Sequence, residues 1–158
     1  NLVVQEYGLC PPAPAPDAAS LAEQFWRQIP LPVPRPTIPP GSAISGLPAY
    51  LVTNGTVSPP AYSETTVLGP LSVAASGSYS VDWGDGASSG PFASEGQPYP
   101  SGNIAHTYDV VGSYTVTVTE SWIAHWQLGA ASGDLAQLQT QARIPSLAVG
   151  QVQAVITG

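Results

Sequence analysis

Apolar and polar side chains alternate along most of the chain after Ala43, and this period-two pattern is the feature that most constrains the fold. Such alternation, rich in β-branched and aromatic residues and interrupted by Gly, Pro and Ser turns, is typical of strands that bury one face. Asn54-Gly55 predicts a hairpin turn. No helical run alternates with the strands, which disfavours a parallel α/β fold. The sequence therefore predicts an all-β, antiparallel sandwich over residues 43–158. The predicted strands are 43–53, 66–74, 77–84, 104–108, 113–127, 137–144 and 148–157.

Residues 1–42 differ in composition and are predicted to form a proline-rich N-terminal extension. They contain two proline runs, residues 11–16 and 30–40. Proline fixes φ and lacks a backbone donor, so both runs are expected to be extended. Residues 2–4 have the composition of a short strand. A proline strap that is ordered must lie either against its own sandwich or against a neighbouring molecule.

One short helix is predicted within this extension, over residues 17–29. Leu21, Phe25 and Ile29 recur every four residues and would share a face. Ser20, with a Glu three residues later, has the spacing of a capping box. A proline follows Ile29 and would end the helix.

Charge is scarce in this sequence, and its distribution excludes some partners. Only 8% of the 158 residues are charged, there is no Lys, and the formal net charge is −7. Nucleic-acid binding is not expected, because neutralising phosphates requires clustered Lys and Arg. The sequence contains no window of 18 apolar residues, so no membrane-spanning helix is predicted. Cys10 is the only cysteine, so it is either a free thiol or the site of an intermolecular disulfide.

Three short motifs follow one another within residues 64–123. The first places an aspartate between two glycines after an alternating strand, which predicts a tight turn stabilised by the Asp85 carboxylate. The second is His-Thr-Tyr, and the third is a Gly-x-Tyr-x-Val-x-Val strand whose alternate residues share a face. The motif residues are Val81, Asp82, Trp83, Gly84, Asp85, Gly86, His106, Thr107, Tyr108, Gly112, Tyr114, Val116 and Val118.

Together the three motifs resemble the signature of the polycystic kidney disease (PKD) family of immunoglobulin-like β-sandwiches. Val81 stands where the family usually has an aromatic residue, and Trp83 stands where it commonly has Phe. A PKD domain normally finishes soon after the third motif, whereas this chain continues, so N- and C-terminal extensions are expected to widen one sheet. The resemblance implies an extracellular spacer, an adhesion unit or a binding accessory domain.

A catalytic serine is one alternative that the sequence raises. Residues 86–90 match the esterase pattern Gly-x-Ser-x-Gly around Ser88. The prolines that follow cannot form the helix which this nucleophile requires, so a chance match is expected. His106 and His125 are the only candidate bases, and no third ligand at a recognised spacing makes them a metal site.

Calcium is a second alternative. Asp82 and Asp85, together with Glu95 or Asp109, would offer carboxylate oxygens. Calcium requires six to eight oxygen ligands, and a turn of this kind supplies few of them. No metal or other cofactor is therefore expected.

A sugar-binding platform is a third alternative. Trp122 and Trp126 lie at even spacing and would share one strand face. Exposed, they would stack on sugar rings; buried, they would belong to the interior of the sandwich. Further candidates for contacts, in loops or at strand ends, are Tyr50, Tyr62, Phe92 and Tyr99.

We therefore expect a non-catalytic, extracellular or cell-surface structural or adhesion module, and not an enzyme. The Ala-, Pro- and Gly-rich, Lys-free composition resembles that of high-GC bacterial proteins. Protein partners are expected, or copies of the same chain joined by strand addition of residues 2–4 or of the 30–40 strap. Two alternatives stay open at this point: a carbohydrate-binding accessory domain of a secreted protein, and a hydrolase that uses Ser88.

Overall fold

Three long neighbouring strands form the centre of the fold, and two of them, the first and the second along the chain, alternate buried and exposed residues over most of their length. The structure is a computed structural model that describes residues 17–152. Predictions for residues 2–4, residues 11–16, Cys10 and the end of the last strand lie outside the described residues. The elements are α1 (Ala18–Gln28), β1 (Ser42–Ile44), β2 (Pro48–Tyr50), β3 (Tyr62–Thr66), β4 (Gly69–Asp82), β5 (Ser88–Phe92), β6 (Ala105–Thr107), β7 (Gly112–Leu128) and β8 (Ala131–Gly150).

The main sheet has the strand order β1-β8-β7-β4-β3, and β5 also pairs with β4. A second, two-stranded sheet is formed by β2 and β6. The predicted all-β class with one short helix is confirmed. The expectation of a purely antiparallel sheet is wrong, because β1 runs parallel to β8 and makes the main sheet mixed.

Several predicted strand boundaries are also wrong. Residues 66–74 and 77–84 were expected to be separate strands, but β4 passes through Gly77 without a break. The predicted strand 137–144 and residues 148–150 of the predicted strand 148–157 likewise belong to one strand, β8. The predicted strand 43–53 is divided into β1 and β2. The two short strands β3 and β5 were not predicted, since they carry little alternating apolar character.

The helix α1 begins after Asp17, whose side chain accepts a hydrogen bond from Ser20 N at 2.7 Å. Asp17 is therefore the N-cap residue, and the prediction that Ser20 fills this role is wrong. Ala22 and Trp26 are buried against the main sheet. The Trp26 indole donates to Ala136 O in β8 at 2.7 Å, which fixes the helix against that edge of the sheet.

The 30–40 strap lies on its own chain. Arg35 N donates to Thr53 O at 2.8 Å, and Thr37 forms an isolated bridge with Val52. The side-chain amide of Asn54 donates to Arg35 O at 2.9 Å. Asn54 has a φ of 51° but lies outside any hairpin, so the hairpin predicted at Asn54-Gly55 is wrong. This asparagine instead helps to hold the strap in place.

The inward face of the main sheet contributes to two separate cores. We call the first the motif-end core, and its buried residues are Ile38, Ala43, Ala49, Leu51, Tyr79, Val81, Trp83, Ile104, Tyr108, Val116, Val118, Leu147 and Val149. We call the second the helix-end core, and its buried residues are Ala22, Trp26, Ile29, Leu71, Val73, Ala75, Trp122, Ala124, Trp126, Leu128 and Leu135. Among residues 17–152, no helix has the length and apolar character needed to cross a membrane.

Candidate functional site

The Gly84-Asp85-Gly86 turn connects β4 to β5. Both glycines have positive φ, 86° and 94°, a conformation that side chains with a Cβ rarely adopt. Asp82 Oδ1 accepts a hydrogen bond from Gly84 N at 3.0 Å, and Asp85 Oδ1 accepts one from Ala87 N at 3.1 Å. Both aspartates of the motif therefore bind backbone amides of the turn itself.

The second oxygen of Asp85 joins this turn to the His-Thr-Tyr motif. Asp85 Oδ2 lies 2.7 Å from His106 Nε2, near the surface. Partial burial alone would raise the pKa of Asp85, but the hydrogen bonds from His106 and from Ala87 N hold that pKa below its ordinary value. The His106 ring stacks on Trp83 with a centroid distance of 5.0 Å and meets Tyr108 edge-on at 4.8 Å.

Tyr108 completes the connection from inside the core. Its hydroxyl donates to Trp83 O at 2.7 Å, and burial raises the pKa of this hydroxyl. The Tyr108 ring packs against Tyr114, whose own hydroxyl donates to Val110 O at 2.6 Å.

The remaining motif residues have simpler positions. Val81, Val116 and Val118 are buried beneath the cluster, Thr107 is exposed in β6, and Gly112 begins β7.

The esterase-like serine is not arranged as a nucleophile. Ser88 begins β5 and is followed by a strand, whereas the nucleophile turn requires a helix. His106 Nε2 lies against Asp85, and the neighbouring Ser89 hydroxyl accepts a hydrogen bond from the Trp83 indole at 2.9 Å.

The four carboxylates considered for calcium do not form one site. Glu95 Oε2 accepts a hydrogen bond from Val57 N at 3.1 Å, whereas Asp82 and Asp85 bind the turn. Within residues 17–152, no group of three or more His, Cys, Asp or Glu side chains could hold a metal ion.

The two tryptophans considered for sugar binding face the interior. Trp122 is fully buried and Trp126 is 6% exposed, both beneath α1 in the helix-end core. The Trp122 indole donates to the Thr140 hydroxyl at 3.0 Å, and that hydroxyl donates to Pro32 O in the strap at 2.8 Å. Of the two alternatives for this pair, the structure shows the buried one, because the helix and the strap cover the two indoles.

Glu120 is a residue that sequence reasoning missed. It is fully buried on the inward face of β7, between Val118 and Trp122, where the two cores meet. Neither carboxyl oxygen has a hydrogen-bond partner among the described residues. Burial raises the pKa of Glu120 to about 7, a rise that the nearby Tyr79 hydroxyl opposes and the charge of Glu95 reinforces. Glu120 stands at even spacing from Val118 and Trp122, on the inward face of an alternating strand, and this position was the signal that could have revealed it.

A groove of about 200 Å³ lies beside β1 and β2, and we call it the tyrosine groove. Tyr99 is 76% exposed and meets Tyr50 edge-on with a centroid distance of 5.6 Å. Pro39, Pro40 and Pro48 form part of its walls. The groove brings Tyr50, at the end of β2, and Tyr99, in a loop, together with the end of the strap, which the sequence alone did not indicate.

The outward face of β4, β7 and β8 is uncovered and is mostly Ser, Thr and Gln. A depression of about 370 Å³ lies there beside Ile123, His125 and Asp134. His125 Nδ1 lies 3.1 Å from Asp134 Oδ1, but both side chains are largely exposed. A pair this exposed is weakly held and provides no positioned chemistry.

Comparison of this chain with protein-family models, with curated proteins and with solved structures found no match. The resemblance to PKD domains therefore rests on the motif residues and on their order along the chain.

Proposed function

We propose that this protein is a non-catalytic structural or adhesion module of the extracellular or cell-surface space, built as an immunoglobulin-like sandwich of the PKD type. The observation that carries the proposal is the use of the motif's polar groups. Asp82, Asp85 and Tyr108 all bind the backbone or side chains of the motif itself. Such a cluster stabilises a fold, and it leaves the module free to function through its surface.

The surface supports a role in association. It carries few charges, and the uncovered sheet face consists mostly of Ser, Thr and Gln side chains. Several large apolar side chains are exposed, including Val67 at 82% and Tyr99 at 76%. Partners of this protein are therefore proteins, including further copies of the same chain.

The proposed self-assembly needs a segment that is free to leave its own chain. The 30–40 strap is bonded to Thr53, Val52 and Thr140 of its own chain. Residues 1–16 are accordingly the better candidates for reaching a neighbour. Deleting residues 1–40 would remove α1 and uncover Trp122 and Trp126, so the informative deletion ends at residue 16.

Carbohydrate binding is the second candidate function, and one observation favours it. Tyr99 and Tyr50 form an exposed aromatic pair, and aromatic faces stack on sugar rings. In this form the alternative rests on the tyrosine groove and not on the tryptophans.

The test combines sedimentation of the full chain with binding assays on polysaccharides. Association should rise with protein concentration and be lost on deletion of residues 1–16, while chitin, cellulose and peptidoglycan should retain none of the protein. Retention on one polysaccharide that Tyr99→Ala abolishes would favour the carbohydrate function. A stoichiometric adduct with an active-site serine probe would overturn the non-catalytic proposal.

A further inference from the structure

We propose that the tyrosine groove binds the proline run at residues 11–16 of a second copy of this chain. The inference deepens the proposed self-assembly and rests on it. It names the two surfaces that meet: a groove on one copy and an extended proline segment on the next.

The chemistry of the groove suits a proline segment. None of its ten lining residues is charged, and only Ser42 and the two tyrosines carry polar side-chain groups. Exposed Leu47 and Ile44 add aliphatic surface at 50% and 39% exposure. Sugars present many hydroxyls that require polar partners, whereas proline-rich segments bind apolar, aromatic-lined grooves.

The sequence of residues 11–16 is suited to this groove. It reads Pro-Pro-Ala-Pro-Ala-Pro, which has no charge and no bulky side chain. Such a sequence favours the polyproline II conformation, whose ordering on binding costs little and whose carbonyls stay free to accept hydrogen bonds. The hydroxyls of Tyr50 and Tyr99 are the groove's tyrosine donors for such carbonyls in this proposal.

The positions of α1 and of the groove favour a segment and a groove from different copies. The helix α1 lies across the far end of the sheet, with Leu21 and Gln24 beside residues 64–67 and Trp26 bonded to Ala136. The groove strand β1 instead pairs with Ala148–Gly150 at the other end of β8. Twelve residues of strand separate Ala136 from Ala148, or about 40 Å.

Residues 11–16 join Asp17 directly, and as polyproline II they span only about 19 Å. That length is shorter than the stretch of β8 between the helix contact and the groove, so we assign the segment and the groove to different copies. A contact between a groove and a segment of two different copies is heterologous, and repeating it links copies in an open row.

The experiment uses the full chain with Cys10→Ser, so that no intermolecular disulfide contributes. One variant replaces the four prolines of residues 11–16 with Ala, and another carries Tyr99→Ala. Pro60→Ala and Val67→Ala are matched controls, an exposed proline and an exposed apolar residue outside the groove. Sedimentation velocity measures association, and circular dichroism confirms that each variant is folded.

The variant without the four prolines and the Tyr99→Ala variant should each associate at least about tenfold more weakly than the parent, as expected for loss of an aromatic anchor or of the segment that contacts it. The controls should behave as the parent does. Mixing the two variants should give a one-to-one dimer, because the intact segment of one can still enter the intact groove of the other. Association should also be insensitive to salt, since neither surface is charged.

Three outcomes would overturn the inference. If the parent associates and Tyr99→Ala associates equally well, the groove is not the docking site, although self-assembly stands. If the mixed variants stay monomeric, the two surfaces do not meet each other. A parent chain that is monomeric at every concentration would overturn this inference together with the proposed self-assembly, but adhesion to other proteins would still stand.

Discussion

The two ends of the main sheet are closed in different ways, although the same three strands run through both. At the motif end, polar contacts join residues close in sequence: His106 bonds Asp85 across 21 positions, and Tyr108 bonds Trp83 across 25. At the helix end, the Trp26 indole bonds Ala136 across 110 positions. The motif region can therefore supply the polar contacts at its own end, whereas the polar contact at the helix end needs a distant segment. Glu120 lies between the two ends, and its carboxyl oxygens have no hydrogen-bond partner within residues 17–152.

Removing the helix anchor should have the largest effect. Trp26→Ala deletes a buried indole, 2% exposed, and should lower the free energy of unfolding by about 4 kcal/mol because it leaves a large cavity. Chemical denaturation measures the loss, and hydrogen exchange locates it. Faster exchange in residues 71–75 and 122–128 than in 79–82 would show that the helix end opens separately. Equal acceleration throughout would show that the two ends unfold as one unit.

Removing a buried hydrogen bond at the motif end should lower the free energy of unfolding less than Trp26→Ala does. Tyr108→Phe removes the donor to Trp83 O and leaves a buried carbonyl unpaired, which should lower the free energy of unfolding by about 2 kcal/mol. Tyr114→Phe is the matched control, because its hydroxyl bond to Val110 O is exposed and should matter less. Equal losses of unfolding free energy in the two variants would contradict a larger contribution from the buried Tyr108 hydrogen bond.

The stability of the protein should depend on pH through Glu120, which lies where the two cores meet. Its pKa is about 7 in the folded state against an ordinary value of 4.5, so the folded state binds more protons between these values. Stability should therefore fall as pH rises from 4.5 to 7, and the loss should persist above 7.

Glu120→Gln cannot ionise and should flatten this slope. At pH 8 the variant should be more stable than the wild type by about 1 kcal/mol. Glu64→Gln, at an exposed strand position, serves as the control and should keep the slope. Thermal unfolding across pH 4 to 8 measures the effect, and an unchanged slope in Glu120→Gln would show that another group titrates.

The smallest effect is expected at the surface of the motif end. Asp85→Asn keeps an oxygen for Ala87 N but loses the carboxylate next to His106, which should lower the free energy of unfolding by about 0.5 kcal/mol. Because the pKa of Asp85 is lowered from 3.8, its contribution is present above that pH and is lost as pH falls below it. Asp134→Asn, at the more exposed pair with His125, should change nothing. A larger loss at Asp134 than at Asp85, measured near pH 7, would contradict this ranking.

Sequence reasoning predicted the parts of the fold that depend on local pattern. The helix and the cores of β4 and β7 follow from helical and period-two spacing. The turn at Asp85 follows from its flanking glycines. The short strands β3 and β5 were missed because they pair only through β4, and their own residues do not alternate clearly. The parallel β1–β8 pair was missed because pairing direction depends on how distant segments meet.

The same limit applies to the candidate site. The spacing of Trp122 and Trp126 is compatible with both a sugar platform and a core, and only α1 packed above them decides for the core. Tyr50 and Tyr99 are 49 positions apart and nothing in their neighbourhoods links them, so their groove was not predictable. Glu120 was predictable in principle, from a charged residue at an inward position.

By itself, the sequence determined the β class, the single helix and the turn at Asp85, because each depends on residues near one another in the chain. Only the tertiary structure decided that the helix and the strap cover the tryptophans, and that Tyr50 and Tyr99 line one groove. These features come from contacts between distant segments, whose pairing no local pattern of side chains specifies.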